Sequence, residues 1–160
     1  MNDMKGEFFT VIDSPIGRLA AYSDGRSLKS LLPSSEAEKE VEKSCPLLEK
    51  LRAELTEYFD GRREHFDIPL SPDGTPFEKS VWNTLLKIHY GKTASYSEVA
   101  EMLGNKKAAR AVGRAVGANN ILILIPCHRV ISSDGSLGGF SAGIEKKKVL
   151  LNTEKIKWQA

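Results

Sequence analysis

The turn signal Ser71-Pro72-Asp73-Gly74 falls where the chain's charge changes sign. Residues 1–75 carry 10 Lys and Arg against 15 Asp and Glu, while residues 76–160 carry 13 against 6. The halves are therefore −5 and +7, and the chain total of +2 hides the difference. A 160-residue chain divided this way is expected to fold as two small lobes, 1–74 and 75–160. Positive charge confined to one lobe points to a polyanionic surface, nucleic acid or membrane, facing that lobe. No membrane association is expected: the longest apolar run is Ile121 to Pro126, far short of the roughly 20 residues of a spanning helix, and the amino terminus is polar. With 41% hydrophobic and 28% charged residues, a packed core is affordable and disorder is excluded. The two cysteines, Cys45 and Cys127, lie in unlike contexts, so the expectation is free thiols in a reducing cytoplasm.

The first lobe alternates short apolar segments with turns: Phe8 to Ile12, a break at Ser14 to Gly17, Leu19 to Tyr22, and a third segment after Asp24-Gly25. That pattern predicts a small antiparallel sheet. A charge-rich stretch, Ser34 to Lys43, leads to Pro46 and then to Leu47, Leu48, Leu51, Leu55, Tyr58 and Phe59, whose spacing marks one face of a helix stopped by Asp60-Gly61. Phe66, Ile68 and Leu70 alternate like a further strand.

The second lobe reads as mostly helical. Thr75 and Pro76 open a helix through Phe77, Val81, Trp82, Leu85, Leu86 and Ile88 that Gly91 stops. Ser97 has the residue type of a cap for a short helix ending at Gly104-Asn105, and a second helix follows over Lys106 to Gly117. Two short helices joined by a tight glycine turn suggest helix-turn-helix. Arg110 and Arg114 share a face, which fits a solvated helix as well as a nucleic-acid contact. The alanines of the same helix, Ala108, Ala109, Ala111, Ala115 and Ala118, favour the latter, since they let the backbone lie close to a groove.

The apolar run ends at Pro126 and delivers Cys127, His128 and Arg129 to the edge of the core. A thiol of ordinary pKa about 8.5 needs a base or a cation beside it to react at neutral pH, and His128 can serve. Taken alone, Cys127 also fits a small buried hydrophobe, and His65 and His89 show no zinc-type spacing with either cysteine.

Pro126-Cys127-His128-Arg129-Val130 resembles the active-site signature of the O6-alkylguanine-DNA alkyltransferases, also called methylated-DNA–protein-cysteine methyltransferases. Gly91 to Tyr96, Ala108 to Gly113, Asn119-Asn120 and Gly138 to Ser141 resemble the same family's pattern in order and spacing, spanning about Phe77 to Glu154. The resemblance implies an α+β protein. Its amino-terminal lobe would be a small antiparallel sheet with a helix, ribonuclease H-like, and its carboxy-terminal lobe mostly helical and winged-helix-like, with the helix-turn-helix.

It further implies direct-reversal repair: one irreversible transfer of an alkyl group from O6-alkylguanine, or O4-alkylthymine, in double-stranded DNA to Cys127. His128 would act as base through a water, Glu154 would orient His128, and Asn119 would hold the turn before the cysteine. Tyr96 would help rotate the nucleotide and donate a proton towards guanine N3. Arg110 would fill the place of the flipped base while Ala109, Ala111, Gly113 and Arg114 meet the minor groove. The carbonyls of Cys127 and Val130 would receive the guanine amino group, amides near Phe140 and Ser141 would meet O6, and Gly138 and Gly139 would permit close approach. No cofactor is implied, and a monomer suffices. Phe140 stands where many members have tyrosine, so a hydroxyl contact there is lost. Some relatives hold zinc in the first lobe, but Cys45 and His65 alone predict no metal. Two rival readings are a sensor that binds alkylated bases without repair, whose members replace the cysteine, and a hydrolase using Cys127, His128 and Glu154 repeatedly.

Overall fold

A computed structural model describes residues 7–34 and 41–159. The charge-rich stretch after Ser34 lies largely outside the described residues, as does the start of the polar amino terminus. The chain divides between Asp73 and Gly74 into two compact units.

In the first unit, β1 (Phe8–Ile12), β2 (Leu19–Ser23) and β3 (Leu28–Pro33) form an antiparallel meander. Register runs from Phe8 opposite Ser23 to Ile12 opposite Leu19, and slips once against β3 at Tyr22/Ser23. The Asp24 carboxylate accepts from the amides of Arg26 and Ser27, which shapes the second turn. Helix α1 (Pro46–Phe59) starts at Cys45, whose backbone caps it, with Pro46 in the first turn. Of its predicted stripe, Leu48, Leu51, Leu55 and Tyr58 are buried to 1% exposure or less, while Leu47 and Phe59 flank it half-buried. The expected strand at Phe66 to Leu70 reduces to a single bridge between Leu28 and Leu70. Two amides are missing from any ladder there: Pro69 has none, and that of Asp67 is taken by the buried Glu54 carboxylate at 2.8 Å.

In the second unit, α2 (Pro76–Leu85) opens with a capping box between Thr75 and Glu78. It ends three residues before Ile88, because Lys87 and Ile88 already turn back with i→i−3 bonds to Thr84 and Leu85. Helix α3 (Tyr96–Met102) is capped by Ser95, not Ser97. The reason is reciprocal: Ser95 accepts from the amide of Glu98, and Glu98 accepts from that of Ser95, whereas Ser97 has Ala100 three residues on. Gly104, at φ +82°, turns the chain into a 3₁₀ segment, Lys106–Ala108, and then α4 (Ala109–Gly117), completing the helix-turn-helix. Trp82 ties α2 to α4, its indole N–H donating to Ala115 O at 2.9 Å. A Cβ at Gly74 would come within 2.5 Å of that indole. A short parallel pair, β4 (Ala94–Ser95) with β5 (Val130–Ile131), and α5 (Ile144–Thr153) complete the unit. The architecture is the expected α+β class.

Candidate functional site

The run Ile121 to Ile125 is buried throughout but belongs to no sheet. Its backbone turns tightly, with Ile123 at φ +71°, a region that costs a β-branched residue energy. Asn119 supplies what a ladder would have supplied. Its Oδ1 accepts from the Ile121 amide and its Nδ2 donates to Ile125 O, both at 2.9 Å. The segment then passes through Pro126 into a single 3₁₀ turn, Cys127–Arg129.

All three residues of that turn are buried. Burial pushes the Cys127 thiol up to about 11, opposed by a hydrogen bond with Asn119 and by the charge of Lys147. His128 is wholly enclosed, and its Nε2 lies 2.6 Å from Glu154 Oε2. An ionised carboxylate can only accept, so Nε2 carries the proton of the neutral ring and Nδ1 is left as a lone-pair acceptor. Nδ1 has no partner among the described residues. Burial lowers the histidine's pKa, and Glu154 pulls it back up.

Glu154 follows the last residue of α5 and is 3% exposed. It is the hub of the cluster. Besides His128, it accepts from Arg129 at 2.8 and 3.1 Å and from the Gly91 amide at 3.1 Å. Burial alone would raise its pKa, but His128 and Arg129 outweigh that and hold the carboxyl at about 2. Arg129 also donates to Ile88 O at 2.7 Å, fastening the turn to the chain beyond α2.

A cavity of about 340 Å³ lies between α4 and the loop before α5, lined by Tyr96, Gly113, Val116, Gly117, Gly139, Phe140 and Ser141. Tyr96 is half-buried, on the wall of this cavity. Burial and the nearby Cys127 both keep that hydroxyl protonated. Gly138, at φ +70°, lies so near that a Cβ would stand 3.1 Å from the Tyr96 oxygen. Gly113, read from sequence as part of the groove-facing surface, stands beside the Tyr96 ring. Val130 is fully buried, and its carbonyl accepts from Lys147 at 2.7 Å. Arg110 and Arg114 are exposed on α4, and Ala109 and Ala111 are half-buried beside them.

Two buried cations escaped the sequence reading as site residues. Arg129 was legible only as a neighbour of His128. Lys147 sits in Lys146-Lys147-Lys148, which reads as a solvated run, yet it is three and four residues from the buried Leu150 and Leu151 and so shares their stripe. Among the described residues no three His, Cys, Asp or Glu side chains group as a metal site, and no helix is long and apolar enough to cross a membrane.

Two family models match the chain. One, 6-O-methylguanine DNA methyltransferase, ribonuclease-like domain, covers residues 8–72, and the other, the DNA binding domain of the same name, covers 76–156. A methylated-DNA–protein-cysteine methyltransferase of Haemophilus influenzae is 42% identical over 96% of this chain and 89% of its own. One from Methanosarcina barkeri is 40% identical over 92% and 97%. The Mycobacterium tuberculosis OGT solved in complex with DNA superposes with a TM-score of 0.84 at 40% identity, covering 92% of each chain.

Proposed function

The chain belongs to the 6-O-methylguanine DNA methyltransferase family, and from that premise we propose that it repairs duplex DNA by moving one alkyl group from O6-alkylguanine onto Sγ of Cys127. The observation that carries this reading is the bare Nδ1 of His128, whose other nitrogen is pinned by Glu154, in the residue next to a buried thiol. A thiol held near 11 must lose its proton to react at neutral pH, and Nδ1 is a buried base available to take it, through a bridging water. Glu154 then faces an imidazolium, which its low pKa suits it to stabilise.

The thiolate attacks the alkyl carbon in line; the sulfur–carbon bond forms as the carbon–O6 bond breaks, and the electron pair leaves with guanine. Tyr96, kept protonated, supplies a proton towards N3 of the departing base. Asn119 fixes the loop that presents the thiol. The Cys127 and Val130 carbonyls receive the guanine amino group; the Val130 oxygen does so with its second lone pair, since Lys147 occupies the first. Phe140 packs on the base, and amides at Phe140 and Ser141 meet O6, beside Gly138 and Gly139. The same chemistry extends to O4-alkylthymine.

The second unit is the DNA-binding half of the molecule. Exposed Arg110 enters the stack in place of the flipped nucleotide, while Arg114 and the small residues Ala109, Ala111 and Gly113 follow the minor groove. Sulfur provides both electrons of the new bond, so no cofactor is needed, and a monomer in a reducing cytoplasm suffices. The thioether product is stable, so each chain acts once. Mass spectrometry of the full chain after incubation with excess O6-methylguanine duplex should find a single methyl, on the Cys127 peptide. Unmodified Cys127, or many substrates consumed per chain, overturns the reading.

A further inference from the structure

The second unit buries two cations of different kinds. Arg129 faces a carboxylate, Glu154. Lys147 is fully enclosed, and the ion pairs of the described residues leave it out. Its ammonium donates instead to three carbonyls: Val130 O at 2.7 Å, Leu137 O at 2.5 Å and Gly139 O at 3.1 Å. These belong to two separate segments, the strand that follows the Cys127–Arg129 turn and the glycine loop. The loop lies close to Tyr96, since a Cβ at Gly138 would stand 3.1 Å from its oxygen, and the Lys147 ammonium stands 6.0 Å from the Phe140 ring. One side chain on α5 thus holds the loop that walls the cavity.

Burying an ammonium is costly unless its N–H groups are matched, and here three carbonyls match its three donors.

We propose that Lys147 is a positioning residue: its three hydrogen bonds tie the strand that follows the Cys127–Arg129 turn to the glycine loop and hold that loop in place as a wall of the cavity. This rests on Cys127 being the alkyl acceptor. An ammonium pushed down to about 8 by burial is still largely protonated at neutral pH and so keeps all three donors.

The test compares the full chain with Lys147→Met and Lys147→Gln, following hydrogen exchange of the Gly143 amide, which is bonded to Phe140 O within the loop, and methyl uptake from O6-methylguanine duplex. In Lys147→Met, which has no donor, protection of that amide should fall and methyl uptake should slow by about tenfold, while the amides of α2 and α4 keep their wild-type protection; Lys147→Gln, which keeps two donors, should recover part of both. A folded Lys147→Met with undiminished Gly143 protection, or with wild-type methyl uptake, overturns the staple. A wild-type measurement covers the case in which the variants do not fold: a Gly143 amide that exchanges as fast as in an open chain refutes a loop held in place. Wild-type chain that takes up no methyl would instead sink the acceptor reading itself.

Discussion

The two units spend burial differently. In the first, α1 covers the sheet with Leu48, Leu51, Leu55 and Tyr58, and pairs such as Lys50–Asp67 stay at the surface. In the second, His128, Arg129, Lys147, Glu154 and Asn119 are all enclosed beside a thiol. Apolar burial stabilises without needing partners of fixed geometry, whereas each enclosed polar group has to be matched or it destabilises the fold. The first arrangement builds a scaffold. The second holds a bare imidazole nitrogen and a thiol in place, and the cost of doing so concentrates at the proposed reaction site.

The largest expected break in this contrast is Glu154→Gln. It leaves Arg129 buried without its counter-charge, so thermal or urea unfolding should show a loss of about 3 to 5 kcal/mol in the second unit. Methyl uptake by Cys127 should collapse with it. The acid limb carries the same signature. Glu154 has its folded pKa at about 2, below the ordinary carboxylate value, so its contribution is complete above about pH 4.5 and disappears as pH falls towards 2. His128 is also depressed in the folded state, so the unfolded chain gains its proton first as pH drops below about 6.5, again favouring unfolding. Unfolding midpoints should therefore decline in two stages on acidification, and a midpoint that stays level from pH 6.5 to 3 would contradict the neutral His128 and ionised Glu154.

Leu51→Ala should cost about 2 to 5 kcal/mol by opening a cavity in the first unit. Methylation of the chain that stays folded should be unchanged, which separates scaffold from site. Arg110→Ala should leave the melting temperature unmoved, because the side chain is exposed. Its effect should appear as a slower reaction with duplex DNA, on the order of tenfold, against an unchanged reaction with free benzylated guanine, which needs no flipping. Equal losses on both substrates would remove Arg110 from the flipping role. Smallest of all is Asp67→Asn, which breaks the exposed pair with Lys50 and should leave the unfolding midpoint where it was.

Much of the fold could be read from local rules. The α1 stripe and the Thr75 cap follow from spacing and residue type, and the three-stranded meander from its turns. The misreadings have local physical causes. Ser97 carried the cap residue type, but only Ser95 has Glu98 at the position that returns the hydrogen bond. The alternation at Phe66, Ile68 and Leu70 suggested a strand, but the Asp67 amide goes to Glu54, a partner 13 residues away. A parallel pair of two residues, β4 with β5, is too short to leave a period. Within the site, Cys127 and His128 stood out as chemistry, whereas Glu154 was reached through the family resemblance. Arg129 and Lys147 stayed hidden because charge normally marks solvent, and their enclosure depends on carbonyls and a carboxylate supplied from distant parts of the unit.

The bond from Trp82 to Ala115 gives the molecule an optical gauge. The chain has only two tryptophans, and this one is buried with its indole nitrogen fastened to the helix that carries Arg110. Any strain that draws α4 away from α2 must lengthen that bond and change the surroundings of the ring, so its emission wavelength should follow the helix through binding and release. With Trp158 replaced by Phe, and excitation at wavelengths that the four tyrosines do not absorb, Trp82 is the one emitter left and can time the engagement of α4 without any attached dye.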